Sequence, residues 1–397
     1  MVLITARWLW SLLEDEGFRM SNLSTLDESH LERALELARK AWGKTHPNPM
    51  VGAVVADGER ILSEGYHSSA GDAHAEVCAL RNLNETISSS AVLYVTLEPC
   101  STHGRTPPCV DAIVESGIGR VVVGAQDPNP IHAGRGLRLL RDAGVEVLET
   151  SGSIADDCKD INMIFDYCIR SQTPFFALKL AVSANGMIAE EKGRPSQVTG
   201  SMARADVMRW RRLFPAIAVG AGTIRSDNPR LTARFSDEEW CPRRIILDGN
   251  LSSVPLSGEM PRVYSDRFRK KTLVVMGAES SELSSRVSRL EELGVSILHL
   301  SADSSNRFKF SDLRKQLYAE GLTGVFFEGG GEVARRLVEE KELDYLFWYE
   351  STKYFTGKNA VKAPPLSVFS SENNFRRERY GEDLLLRGKL NFKQRYD

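Results

Sequence analysis

Apolar positions at Leu31, Ala34, Leu35, Leu37, Ala38 and Trp42 recur at helical spacing, with helix-start residues in Ser24–Glu28 ahead of them. A turn-rich stretch, His46-Pro47-Asn48-Pro49, follows. Val51–Ala56 and Ile61–Glu64 read as strands, joined by Asp57-Gly58 as in a hairpin. The pattern then predicts a helix over Ala73–Leu83, a buried strand over Val92–Leu97, and a helix over Val110–Ser116 closed by Gly117. A strand over Arg120–Ala125, a helix over Gly136–Ala143 and a strand over Val145–Leu148 complete an α/β layered unit.

Ile154, Cys158, Ile161 and Phe165 share one helical face, which predicts a single helix over Ser153–Arg170. A second alternation begins after Thr173-Pro174. Its strands are expected at Phe175–Ser183, Ala216–Ala221, Arg244–Asp248, Thr272–Met276, Val295–Leu300, Val325–Glu328 and Leu343–Tyr349. Its helices are expected at Ser201–Leu213, Ser281–Leu293, Ser311–Glu320 and Glu332–Glu340. The organisation read from this is a disordered extension at 1–25, one α/β domain over 26–150, a connecting helix at 151–173, and a second α/β domain over 174–397.

Composition narrows the class. Of 397 residues, 42% are hydrophobic and 26% charged, with a formal net charge of −2, so no overall basic surface points to nucleic acid or anionic lipid. Six cysteines are too sparse for a disulfide scaffold, and a reducing cytoplasm is the simplest compartment. Val2–Leu13 is largely apolar, but Arg7 interrupts it, acidic residues follow, and no small-residue cleavage site is present. It is also shorter than the roughly 20 residues a membrane span needs. Met20 lies just downstream as an alternative start.

Chemistry concentrates in one constellation. His74-Ala75-Glu76 opens a predicted helix, Pro99-Cys100 follows a predicted strand, and Pro108-Cys109 opens another helix. One imidazole and two thiolates make a three-ligand zinc site with a fourth position open, the arrangement of catalytic rather than structural zinc. Such a metal brings the pKa of a bound water near neutrality. Glu76 can reach that water without coordinating, as the group that moves protons to the ring nitrogen and the departing ammonia. A structural zinc site would want a fourth protein ligand, for which only His103 lies at hand.

In the second half, Phe326–Gly331 (FFEGGG) sets three glycines between a strand and a helix, where backbone amides could cradle a phosphate or simply permit a tight turn. Ala218–Thr223 (AVGAGT) is a second glycine-containing strand end. Arg204, Arg209, Arg211, Arg230 and Arg234 supply cations for a phosphate or for a solvated face.

The His74, Glu76, Cys100 and Cys109 set resembles the cytidine-deaminase-like superfamily, with a long spacer in place of its usual P-C-x-x-C. That spacer, Pro47-Asn48-Pro49, Gly71–Glu76 (GDAHAE) and Asp127-Pro128-Asn129-Pro130 are similar to the bifunctional riboflavin-biosynthesis deaminase/reductases over roughly residues 28–360. The resemblance implies a cytidine-deaminase-like three-layer α/β domain followed by a dihydrofolate-reductase-like α/β domain. It implies zinc on His74, Cys100 and Cys109, with Glu76 as proton shuttle and Asn48 on the substrate. His103, Arg105 and Thr106 would stand near a 5′-phosphate or pack the loop. In the second domain, NADPH would contact Ala181, Thr199, Thr223, Asp227 and Gly330, Gly331, Glu332, Val333, Ala334, Arg335 and Arg336. Substrate would meet Arg211, Leu231, Arg234 and Glu328, with the two arginines on its phosphate and catalytic Asp227 at its ribosyl end. Lys179 falls on a matching position as well.

The substrate implied is 2,5-diamino-6-ribosylamino-4(3H)-pyrimidinone 5′-phosphate, deaminated first and then reduced to the ribityl compound. A homo-oligomer formed through the reductase domain is implied too. The chain departs from the family where S-x-D-G-K becomes Ser183-Ala184-Asn185-Gly186-Met187, where W-I-T becomes Gln197-Val198-Thr199, where a serine becomes Pro195, and at Ser351–Gly357. These changes leave open an active deaminase carrying a non-catalytic second domain. An RNA-directed deaminase is opposed by the spacer and by the charge balance.

Overall fold

A computed structural model describes residues 23–84, 86–103, 107–236, 238–277, 283–369 and 375–390. The expected disordered extension, residues 1–22 of it, and the Arg105–Thr106 pair lie outside the described residues. The chain divides into two compact units, one built from the residues up to Ala41 with Asn48–Met163, the other from Trp42–Pro47 with the residues from Ile164 onward.

The first unit holds a five-stranded sheet, β1 (Gly52–Asp57), β2 (Arg60–Tyr66), β3 (Val92–Val95), β4 (Arg120–Val123) and β5 (Glu146–Glu149), in the order β2-β1-β3-β4-β5. Its helices are α1 (Thr25–Arg39), α2 (Ala75–Arg81), α3 (Cys109–Ser116), α4 (Arg135–Asp142) and α5 (Ser153–Asp160). Helix α1 starts in a capping box, in which Ser24 and Asp27 satisfy each other's backbone N–H groups. It lies so close to β1 that a Cβ on Gly52 would stand 2.0 Å from the Ala34 carbonyl, a site only glycine fills. Gly65, paired with Ala53 and so facing the other side, is pressed against α2 in the same way. Helices therefore cover both faces of the sheet, and the unit is the expected three-layer α/β fold.

The single helix expected over Ser153–Arg170 is two, α5 and α6 (Met163–Ser171). At the break, buried Asn162 accepts from the Met50 N–H (2.8 Å) and donates to the Met50 carbonyl (2.9 Å). Helical periodicity does not report such a side-chain-to-backbone pairing, which competes with helix continuation. The turn-rich stretch after α1 also divides differently from the sequence boundary. In the second unit, the Trp42 indole donates to the Arg209 carbonyl and the ring packs edge-on to Trp210.

Among the described residues the second unit carries thirteen strands, β6 (Phe175–Val182), β7 (Met187–Ala189), β8 (Ala216–Gly220), β9 (Ala233–Arg234), β10 (Glu239–Trp240), β11 (Arg243–Leu247), β12 (Thr272–Met276), β13 (Ser296–His299), β14 (Gly324–Glu328), β15 (Tyr345–Glu350), β16 (Val361–Lys362), β17 (Arg376–Tyr380) and β18 (Asp383–Lys389). Nine form one sheet in the order β13-β12-β11-β8-β14-β6-β15-β18-β17, parallel from β13 to β15. The antiparallel β17–β18 hairpin, which the sequence pattern did not predict, extends the β15 edge. Its strand β17 is charged and only partly covered, so it lacks the apolar alternation that marks a strand. Helices α7 (Ser201–Leu213), α8 (Ala221–Asp227), α9 (Arg262–Ser265), α10 (Ser284–Glu292), α11 (Phe310–Ala319) and α12 (Gly331–Glu339) complete the unit. Among the described residues, no helix is long and apolar enough to cross a membrane.

Candidate active sites

In the first unit, His74 caps the N-terminal end of α2, Cys109 begins α3, and Cys100 lies between β3 and α3. One ligand atom from each of the three lies within 4.8 Å of the others. The His74 Nδ1 stands 3.2 Å from the Cys109 Sγ and 3.5 Å from the Cys100 Sγ, and the Cys109 N–H donates to the Cys100 sulfur. Hydrogen bonds from Cys109 and His74 draw the Cys100 thiol down to about 4, toward the thiolate a metal requires. A nitrogen and two soft sulfurs at this spacing fit zinc with a position left open.

Glu76 lies one helical step inside α2, buried, with its carboxyl reaching the Cys109 thiol. Burial, reinforced by the charge of Cys100, pushes its pKa up to about 7, against its backbone N–H, His74 and Cys109. His67, which the sequence reading missed, packs edge-on against His74 with ring centroids 5.5 Å apart. Its Nε2 pairs with the Asn48 amide (3.2 Å), and its Nδ1 donates to the Ala73 carbonyl (3.2 Å). Those partners fix one neutral tautomer, which burial favours. A lone histidine at a strand end carries no motif, so nothing in the sequence singles it out. Glu98 is the other residue missed. Its carboxylate accepts from the N–H groups of Asp127, Gly134 and Gly136, tying the Asp127–Pro130 loop to the strand end that leads to Cys100. His103 is exposed.

In the second unit, β8 and β14 are neighbours in the sheet and run into α8 and α12 at their carboxyl ends. The carboxyl ends of parallel strands are where α/β sheets take ligands. A cavity of about 270 Å³ lies at the carboxyl ends of β8 and β11 beside α12, lined by Gly220, Gly222, Gly249, Phe308, Val333 and Arg336 among others. Thr223 of α8 faces Gly330. The run from Gly330 to Arg336 does not present one face. Glu332, Val333 and Arg336 line the cavity, whereas Ala334 is fully buried in the core and Arg335 pairs with Glu332 and Glu339 outside it. A helix turns its side chains through a full circle, so consecutive residues cannot all face one ligand.

The Arg211 fork meets the Glu328 carboxylate at 2.5 and 2.7 Å, and its remaining nitrogen donates to the Thr232 carbonyl at 2.9 Å. Lys179 lies directly across the β6–β14 ladder from Glu328. Burial holds its ammonium below the ordinary range, with Glu328 opposing that shift. Arg234 is exposed near the same group, and its guanidinium donates to the Thr232 hydroxyl. Asp227 ends α8, exposed. Leu231 is buried in the core with φ of 53°, which leaves its backbone rather than its side chain to meet a ligand. Thr199 is buried, and its carbonyl takes a hydrogen bond from Arg204. Ala181 lies at the carboxyl end of β6.

A three-donor zinc centre with a buried glutamate, in one α/β unit, and a parallel sheet with a glycine-lined crevice, in the other, define a deaminase fused to a reductase. Residues 24–125 match the cytidine and deoxycytidylate deaminase zinc-binding region, and residues 174–364 match the RibD C-terminal domain. The chain is 38% identical to the riboflavin biosynthesis protein RibD of Bacillus amyloliquefaciens over 82% of this chain and 84% of that one. It is 36% identical to that of Aquifex aeolicus over 91% and 98%. The crystal structure of a diaminohydroxyphosphoribosylaminopyrimidine deaminase/5-amino-6-(5-phosphoribosylamino)uracil reductase from Thermotoga maritima matches with a TM-score of 0.75 and 34% identity, covering 92% of this chain and 99% of that one. The chain belongs to the RibD family, the bifunctional deaminase/reductases of riboflavin biosynthesis.

Proposed function

We propose that the two sites act in turn on one phosphorylated pyrimidine, 2,5-diamino-6-ribosylamino-4(3H)-pyrimidinone 5′-phosphate, first removing an amino group and then reducing the ribosyl side chain with NADPH. The observation that carries the reading is the His74, Cys100 and Cys109 cluster with Glu76 buried beside it. Zinc held by these three donors supplies activation of the attacking water. Glu76 would take one proton from the attacking water, as its oxygen bonds the ring carbon, and pass it to the ring nitrogen. It would then carry the second proton from the new hydroxyl to the amine, so that the C–N bond breaks, ammonia departs and an oxo group remains. Asn48, oriented by His67, holds the substrate from the β1 side.

In the second site bound NADPH would supply a hydride for the ribosyl carbon, with the ring oxygen taking a proton as the ring opens. Glu332, Val333 and Arg336 at the cavity, with the Gly330–Gly331 amides, Thr223, Thr199 and Ala181, seat the dinucleotide. Asp227 works at the ribosyl end, Glu328 is held in place by Arg211 and Lys179, and Arg234 takes the phosphate, with Leu231 offering its backbone. We place the enzyme in the cytoplasm as a homo-oligomer assembled through the reductase domain. Ammonia release without NADPH, followed by NADPH oxidation only once deaminated intermediate has formed, tests the order. Asp227→Ala as control should release ammonia but leave NADPH unoxidised. Wild-type oxidation no faster than that control would reduce the second unit to a scaffold.

A further inference from the structure

The departures at 185 and 197 converge on one piece of the second unit. Asn185 sits in the turn between β6 and β7. Its Oδ1 accepts from the Ser183 hydroxyl (2.7 Å) and from the Phe355 N–H (3.1 Å), and its Nδ2 donates to the Phe355 carbonyl (2.7 Å). One side-chain amide thus satisfies both backbone groups of one residue in the loop after β15. Further bonds lace the same two segments. The Ala184 N–H donates to the Lys353 carbonyl (2.8 Å), the Lys353 ammonium to the Gln197 carbonyl (2.7 Å), and the Ala363 N–H to the Gly186 carbonyl (2.9 Å). Strands β7 and β16 pair beyond them. The lacing is close: a Cβ on Gly357 would stand 2.2 Å from the Glu190 carbonyl.

This strap ends on the glycine turn. Ile188 and Val361 side-chain carbons lie 3.5 and 3.7 Å from where a Cβ on Gly331 would be, over the first residue of α12. We propose that Asn185 is a positioning residue of the reductase site, its amide clasping the strap against the N-terminus of α12 and so fixing the wall on which the dinucleotide is seated. The inference rests on the reading of the second unit as an NADPH reductase. The clasp needs an amide, because a carboxylate can accept from the Phe355 N–H but cannot donate to its carbonyl. The substitution Asn185→Asp would set two acceptors face to face beside buried Phe355, where the lost partner is costly to replace with water.

The test compares wild type with Asn185→Asp and with Lys353→Met, which removes another lace at an exposed position. Hydrogen exchange of residues 351–363 is followed without cofactor, and NADPH affinity is read from nicotinamide fluorescence. Asn185→Asp is expected to speed exchange in the strap and to weaken NADPH binding about tenfold, the equivalent of about 1.4 kcal/mol. The KM for NADPH should rise with kcat little changed, a split that general loss of fold would not produce. Lys353→Met should move the same readings in the same direction by less, which covers an Asn185→Asp chain that fails to fold. Normal wild-type affinity that neither variant alters overturns the clasp alone. Absence of NADPH binding by wild type overturns the reductase reading and the seating with it.

Discussion

Arg211 and Glu328 form a two-pronged ion pair at 2.5 and 2.7 Å, with both side chains close to nine-tenths covered. The family resemblance implies that Arg211 and Arg234 both face a phosphate. In the fold, all three nitrogens of the Arg211 fork are engaged, two by Glu328 and one by the Thr232 carbonyl. Arg211 is therefore a residue that holds Glu328, and of the two arginines only Arg234 keeps the phosphate role in the proposed function.

Arg211→Ala should accordingly act on stability before it acts on substrate. It leaves a covered carboxylate with only Lys179 and the exposed Arg234 nearby to balance it, and breaking a buried pair costs about 3–5 kcal/mol. Denaturant unfolding of the variant should show a loss at the lower end of that range. Arg234→Ala should leave unfolding nearly unchanged and instead weaken substrate binding by roughly 1.5–3 kcal/mol, the loss of a hydrogen bond to a charged group. Equal, small effects of both substitutions on unfolding would contradict the division of labour.

The deaminase site was legible because its chemistry is carried by a short motif whose spacing is independent of the rest of the chain. His74, Glu76, Cys100 and Cys109 meet in space as their pattern implies. The reductase residues were less legible, because strand order brings them together. Nothing local says that Glu328 will face Lys179 across a ladder or that Arg211 will reach it from α7. Helix periodicity likewise ran α5 and α6 together, since the amide that parts them pairs with Met50, far away in sequence. The β17–β18 hairpin escaped because an edge strand with charged residues shows no period-two apolar pattern.

Asn162→Leu should therefore be costly for a residue with no part in the chemistry. It leaves the Met50 N–H and carbonyl unpaired in the interior, and each orphaned group costs about 1–3 kcal/mol. A loss of roughly 2–4 kcal/mol in unfolding free energy is expected; a loss below about 1 kcal/mol would mean that other groups pair with Met50.

Asp27 predicts acid sensitivity of the first unit. Burial works to raise its carboxyl, but hydrogen bonds from Ser24, Arg120 and Tyr94 and the Arg120 charge outweigh it and hold the group below its ordinary 3.8. A carboxyl depressed in the folded state stabilises above its unfolded pKa, and that contribution is lost as pH falls through the folded value. Unfolding free energy should thus be level above about pH 5 and decline below about 4, and Asp27→Asn should be less stable at neutrality with a flatter acid limb. Parallel profiles for the two proteins would contradict the assignment.

Glu76→Gln separates proton transfer from metal binding. The amide keeps the shape beside Cys109 but cannot carry a proton, so zinc should stay at one per chain while ammonia release falls by about 10²–10⁴-fold. Cys109→Ala removes a ligand and should lose the zinc itself. Metal analysis with a coupled ammonia assay reads both, and full activity in Glu76→Gln would falsify its role.

The central claim, one chain that deaminates and then reduces the same phosphorylated pyrimidine, is tested most directly by mass spectrometry of the product formed with and without NADPH. Without NADPH, the product should carry an oxo group in place of one amino group and an intact ribosyl ring. With NADPH it should carry two further hydrogens, with the ring opened to a ribityl chain. Recovery of unaltered substrate in both reactions, or of the same deaminated product whether or not NADPH is present, would contradict the account.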